Sequence, residues 1–190
     1  MISLASVVFL PLSSGFSLPI TITEPIGVAR TNEPITSGIP LPGEAQTSNW
    51  ALFEGNTEIP VQVTKLQGIT PWILLDFQTS IPAHGTKAFT LKHQAPSVTA
   101  PAINTTAPAT ELKVVDATTG QTWTGIKDAE SWEYQGPMRS VLKVTGHYAN
   151  QGGTPIPGFN YTTRYTFYAG ERFVKIEHWL QNSLQANQRY

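Results

Sequence analysis

The chain has 190 residues, a hydrophobic content of 40%, a charged content of 13% and a formal net charge of -1. That length suits one sizeable domain, and the low charge with 10% aromatic residues excludes a disordered chain. The near-zero charge, with Lys and Arg scattered singly, leaves no field to attract nucleic acid or an anionic membrane, and the absence of cysteine excludes disulfides, thiolate metal sites and thiol nucleophiles.

Residues 1–16 (M-I-S-L-A-S-V-V-F-L-P-L-S-S-G-F) contain no charged side chain, an apolar run over 4–12 and small residues at 13–15. An h-region followed by small residues resembles a secretory signal, here lacking the basic n-region. It predicts a removable segment over 1–17 and an exported chain, whether secreted, periplasmic or held at the cell surface. The competing reading is a buried first strand. No segment reaches the ~18–20 apolar residues of a membrane span.

Residues 18–23 (L-P-I-T-I-T) alternate as a strand does. Prolines and glycines then punctuate residues 23–44 while Ile26, Val28, Ile35, Ile39 and Leu41 keep an apolar thread. Proline fixes φ and lacks a donor, so Pro19, Pro25, Pro34, Pro40 and Pro42 forbid a helix and most central-strand positions. A rim of short edge strands and ordered loops is expected. Strands follow at 50–53 and 58–66, separated by a turn at 54–56, with a second turn over 68–71. Residues 72–78 (W-I-L-L-D-F-Q) are nearly all apolar and read as a central strand with Trp72 in the core. Residues 86–92 alternate again.

Residues 94–110 are rich in Ala, Pro, Thr and Ser, and read as a long loop inside one domain of residues 18–182. Beyond it come strands at 112–115, 121–125, 131–135 and 140–148, then two long strands at 160–168 and 173–180 around a Gly170 hairpin loop. No window keeps a helical period. The fold class is all-β, an antiparallel barrel or sandwich of about a dozen short strands, with a tail over 183–190.

Chemistry is sparse. His84, His93, His147 and His178 show no ligand-like spacing and read as isolated imidazoles. Of the paired carboxylates Glu54/Glu58, Asp128/Glu130 and Glu171/Glu177, only Asp128/Glu130 would share a strand face, and their default is a solvated loop. Phosphate-loop, dinucleotide and nucleophile-elbow motifs are missing from the sequence. No catalytic residue, metal site or cofactor is expected. The aromatic residues are the better lead, because such rings stack on sugar faces as well as filling cores. Trp123 and Trp132, flanked by Thr, Ser and Glu, are candidates for a sugar platform, against packing at a sheet edge or a neighbouring domain. Arg30 and Arg139 stand alone in Pro/Gly-rich surroundings; they either pin loops through backbone carbonyls or grip the carboxylate of an acidic sugar.

In order, residues 24–42 (E-P-I-G-V-A-R-T-N-E-P-I-T-S-G-I-P-L-P), 72–78 (W-I-L-L-D-F-Q), 136–141 (G-P-M-R-S-V) and 164–182 (R-Y-T-F-Y-A-G…V-K-I-E-H-W-L-Q-N) carry a resemblance. The chain resembles the N-terminal RIFT-barrel domain of the exo-rhamnogalacturonan lyase-like (PcRGLX/YetA-like) family, over residues 18–182. It departs at Gln67-Gly68-Ile69, where that family often carries a D-G-S-like turn. The resemblance implies a RIFT barrel that precedes a helical toroid domain, with lyase chemistry in later regions of the polypeptide, so no catalytic residue carries over. It makes this chain a non-catalytic β-barrel domain of an exported polysaccharide lyase-like protein of rhamnogalacturonan or pectin type, whose partner is a helical domain absent here. The alternatives are a free-standing carbohydrate-binding module using exposed Trp and Tyr on plant-type or acidic polysaccharide, and, least favoured, a self-sufficient lyase or glycoside hydrolase. An apolar patch left uncovered near the C-terminal end would speak for a missing domain. A groove lined by Trp123 or Trp132 with polar neighbours would speak for the binding module.

Overall fold

The apolar/polar alternation that recurs along the sequence becomes antiparallel strands throughout, so the fold is all-β, of barrel or sandwich type. A computed structural model describes residues 3–6, 16–41, 49–66, 72–108 and 111–183, and no helix occurs among them. The chain divides into two compact units, Met1–Ala102 and Ile103–Tyr190, within the stretch 94–110 that the sequence presents as a loop.

The first unit contains β1 (Ser3–Ser6), β2 (Ser17–Thr23), β3 (Arg30–Pro40), β4 (Trp50–Glu54), β5 (Thr57–Ile59), β6 (Val61–Lys65), β7 (Trp72–Ile81) and β8 (Thr86–His93). They form one sheet in the order β1-β2-β8-β4-β5 and another in the order β3-β7-β6. The inward-facing residues of the two sheets share one core. Leu18, Ile20 and Ile22 come from β2, Ile35 and Ile39 from β3, Leu52 from β4, Ile73, Leu75 and Phe77 from β7, Phe89 and Leu91 from β8. Each such side chain contributes about 1.5–3 kcal/mol on burial. Pro60 lies between β5 and β6, so a single run of chain leaves the first sheet and enters the second at a residue with no N–H to donate.

Proline placement follows the missing donor. Pro34 and Pro40 lie in β3, an edge strand, and Pro19 lies in β2 beyond the short ladder with β1, which reaches only Thr21–Thr23. The expected rim of short strands is instead one 11-residue strand over Arg30–Pro40. β7 is central, as its apolar run predicts, but Trp72 is 37% exposed and not core. Trp72 begins the strand on the face opposite Ile73 and Leu75, and its ring covers Gly38 of β3, 3.5 Å from where a Cβ would stand. Of the signal-like segment, residues 3–6 pair with β2, while 1–2 and 7–15 lie outside the described residues, as do the expected turn at 68–71 and residues 184–190 of the tail.

The second unit is one sheet, β13-β12-β11-β10-β9, built from β9 (Lys113–Val115), β10 (Thr122–Tyr134), β11 (Arg139–Ala149), β12 (Pro155–Tyr168) and β13 (Val174–Asn182). The stretches 121–125 and 131–135 belong to the single strand β10, which carries bulges at Lys127/Ala129 and Trp132/Tyr134. Bulges let the strand bend without breaking, which period-2 counting cannot anticipate.

Candidate functional site

Strand register sorts the second sheet into two chemically distinct faces. Gly146 faces Tyr161, Val144 faces Thr163, Leu142 faces Tyr165 and Ser140 faces Phe167 across β11–β12, while Leu180, His178, Ile176 and Val174 continue the same rows onto β13. This face is aromatic: Tyr148, Tyr161, Tyr165 and Phe167 are buried. The other face is ionic. Arg164 donates from Nε and a terminal nitrogen to the two oxygens of Glu133, at 2.6 and 2.9 Å, and Lys143 lies 3.6 Å from the same carboxylate. The hydrogen bond from Arg164, which outweighs partial burial, holds the Glu133 carboxyl below its ordinary range.

On the aromatic face His178 is held through both ring nitrogens. Thr163 Oγ1 lies 2.8 Å from Nδ1, and the Tyr148 hydroxyl lies 3.1 Å from Nε2. A neutral imidazole donates at one nitrogen and accepts at the other, so one of the two hydroxyls donates to the ring. Tyr161 packs against the imidazole, with ring centroids 5.6 Å apart. Burial raises the pKa of Tyr148, and it raises that of Tyr161 more than the nearby Asp128 carboxylate does. The reading of His178 as an isolated imidazole is thereby corrected. Its partners are Tyr148 and Thr163 on separate strands, 30 and 15 residues away, and only register brings them together.

His147 is likewise engaged, with Nδ1 2.8 Å from Asp128 on the ionic face. Asp128 and Glu130 do not act as a pair. The bulge at Lys127/Ala129 turns them apart, and Glu130 accepts from Lys127 at 2.8 Å instead.

The four residues singled out for sugar contact fall in separate places. Trp123 and Trp132 share β10 and the aromatic face, but lie nine residues apart, roughly 30 Å of strand. Trp132 is 38% exposed and leans on Phe167, with centroids 6.0 Å apart; Trp123 is half-buried. Arg139 lies over the Tyr134 ring at 4.3 Å. Arg30 lies in the first unit, 3.7 Å from Glu24.

Glu24 is the residue that sequence reasoning missed there. Its side chain is fully buried, and one oxygen accepts from the backbone N–H of Gly27 (2.7 Å), Val28 (3.1 Å) and His84 (3.1 Å) while the other accepts from Ile26 (3.2 Å). Burial pushes the carboxyl up, but the four backbone donors win and hold it below its ordinary value. Gly27 has φ of +78°, and a Cβ there would meet His84 Nε2 at 2.6 Å, so the turn requires glycine. The clamp closes the loop after β2 onto the β7–β8 turn. The local pattern E-P-x-G was the available signal.

Two surfaces remain. A polar pocket of about 600 Å³ opens in the second unit where the lead into β9, the start of β10 and the β11–β12 loop meet. Thr122 and Thr124 line it, whereas Trp123 between them points to the opposite face. On β13, Ile176 and Leu180 are 44% and 50% exposed on the aromatic face and Trp179 is exposed on the ionic face, while Phe173 just ahead of the strand packs on Tyr168; the strand is paired on one side only among the described residues. Among the described residues no group of three His, Asp or Glu side chains is placed to hold a metal ion. In comparisons with known proteins, no family model and no curated protein matches the chain.

Proposed function

We propose that the chain is a docking scaffold: a non-catalytic, RIFT-barrel-like N-terminal domain of an exported polysaccharide lyase-like protein, which supports a helical catalytic domain through β13. The exposed apolar surface of β13 carries this reading. Four large hydrophobic side chains stand exposed within eight residues, in a molecule whose other exposed hydrophobics are spread over both units. Single exposed hydrophobics are ordinary, whereas Ile176 and Leu180 stand exposed together on one face of a strand paired on one side only among the described residues, a surface that expects cover. Leu180 and Ile176 lie directly opposite the buried Tyr161 and Tyr165 in the β12–β13 register, so a covering helix would extend an existing aromatic layer.

The test is the coding sequence downstream of Tyr190, followed by co-expression of its product with this chain. The expected result is a long helical-patterned frame whose product co-purifies with the native chain and is lost on the double change Ile176→Lys and Leu180→Lys. Both positions are exposed, so the variant should fold. An in-frame stop directly after Tyr190, or co-purification indifferent to the two lysines, would overturn the proposal.

A further inference from the structure

The polar pocket of the second unit has the makings of a binding site that the docking reading does not use. Three segments converge on it: Glu111 and Lys113, then Gln121, Thr122 and Thr124, then the loop that begins at Asn150. Both turns that frame it are fixed from within. Asp116 accepts from the backbone N–H of Thr118 (2.7 Å) and Thr119 (3.1 Å), and its own N–H donates to the carbonyl of Gln121 at 2.9 Å. Opposite, Asn150 Oδ1 accepts from Gly152 (3.0 Å) and Thr154 (2.9 Å), while its backbone N–H donates to the Thr154 carbonyl at 2.9 Å. A frame locked this way loses little freedom when a ligand enters.

The lining is unusual in what it offers. The carboxamide of Gln121 and the hydroxyls of Thr122 and Thr124 face the pocket, and Asn150, its oxygen already engaged, keeps two N–H donors for it. Thr122 and Thr124 alternate to one side of β10, roughly 7 Å apart, which suits hydroxyls on opposite sides of one sugar ring. The pocket's charged groups, Glu111 and Lys113, pair with each other at 2.8 Å. Their cancellation leaves no net charge to draw an ion, yet retains a strong acceptor beside a strong donor.

The geometry points to a binding site for a neutral, polyhydroxylated ligand, a non-acidic sugar residue, at this pocket. Interleaved donors and acceptors match hydroxyls, each of which both donates and accepts. A volume of about 600 Å³ lies in the ~300–1,000 Å³ range of ligand sites. A uronate would bring a carboxylate to the Glu111 side with no unpaired cation to meet it. The site therefore discriminates against acidic sugars, and it is independent of β13.

The experiment is an amide-resolved NMR titration of the whole chain with a neutral methyl glycoside series (glucoside, galactoside, rhamnoside) and with galacturonate. Saturable shifts are expected at Gln121, Thr122, Thr124 and Gly152 with at least one neutral glycoside, and weaker or no shifts with galacturonate. The double change Thr122→Val and Thr124→Val, which suits exposed strand positions, should weaken the response about tenfold. Gln151→Ala, on the exposed loop, is a second variant that leaves the strands untouched and should also weaken it. No saturable shift with any neutral glycoside, stronger binding of galacturonate, or affinity unchanged in both variants would overturn the assignment. None of these outcomes bears on co-purification through β13, so the two proposals fail separately.

Discussion

Gly146 is the position where a single methyl group should do most damage to the second unit. Its backbone lies beneath the Tyr161 ring: a Cβ there would meet ring carbons Cε1 and Cζ of Tyr161, both at 2.5 Å, and the carbonyl oxygen of Ile126 on β10. Ordinary contact begins near 3.4 Å, so Gly146→Ala requires both that the ring retreat by about an ångström and that the Ile126 carbonyl of β10 give way from β11. The ring has little room, being 5% exposed, in edge contact with Tyr148 at 5.5 Å, and 3.3 Å from the Cβ position of Gly125 on the next strand. Overpacking of this kind costs about 1–3 kcal/mol, and loss of the aromatic pair adds roughly 0.5–1.5, so about 2–4 kcal/mol is expected. Native-state hydrogen exchange localises the loss in a chain of two compact units. Amides of β11 and β12 should exchange roughly thirty- to a thousandfold faster, with those of β7 and β8 unchanged. Gly152→Ala is the control, because its Cβ would meet only Asn150 Oδ1 at 3.4 Å, and it should change stability by less than about 0.5 kcal/mol. A loss below about 0.5 kcal/mol for Gly146→Ala as well would refute the claim that Tyr161 is seated by the missing side chain.

Two further outcomes follow from the hydrogen bonds. The Glu24 carboxyl is lowered from its ordinary 4.5, so the stability it contributes is present above that value and lost as pH falls through the lower folded value. Glu24→Gln should flatten part of the acid-unfolding limb and speed exchange at the Gly27, Val28 and His84 amides even at neutral pH; an unchanged acid limb with intact protection would count against the clamp. Tyr148→Phe removes one hydroxyl from the His178 chain and should cost about 0.5–1.5 kcal/mol. The ring-nitrogen NMR shifts of His178 should move with it, and identical shifts would show that the contact does not hold in solution.

How much of this is visible in the sequence depends on the range of the interaction. Strand class, the central place of β7 and the edge place of the proline-bearing β3 follow from local rules, because period-2 alternation and a missing N–H act residue by residue. The extent of β10 does not, since bulges at 127–129 and 132–134 shift the inward set midway and make one strand look like two. Trp72 misleads for a related reason: its neighbours are buried, but alternation puts it on the other face over Gly38. The His178 contacts are set by register among three strands, and no spacing in the chain encodes register directly. Trp123 shows the limit in the other direction. The polar neighbours that mark it as exposed, Thr122 and Thr124, are the residues that reach the pocket, while the indole faces away.

Pro60 gives the first unit a mechanical property. Because β5 and β6 are successive lengths of one thread stitched into different sheets, neither sheet can be peeled away without dragging the other along. Strain applied to β3 at the far edge passes through β7 and β6 to Pro60, and from there into β5 and β4. The unit should therefore rupture as a whole. A protease nick at the proline would still not divide it, because the thread crosses between the sheets three more times, at β2–β3, β3–β4 and β7–β8.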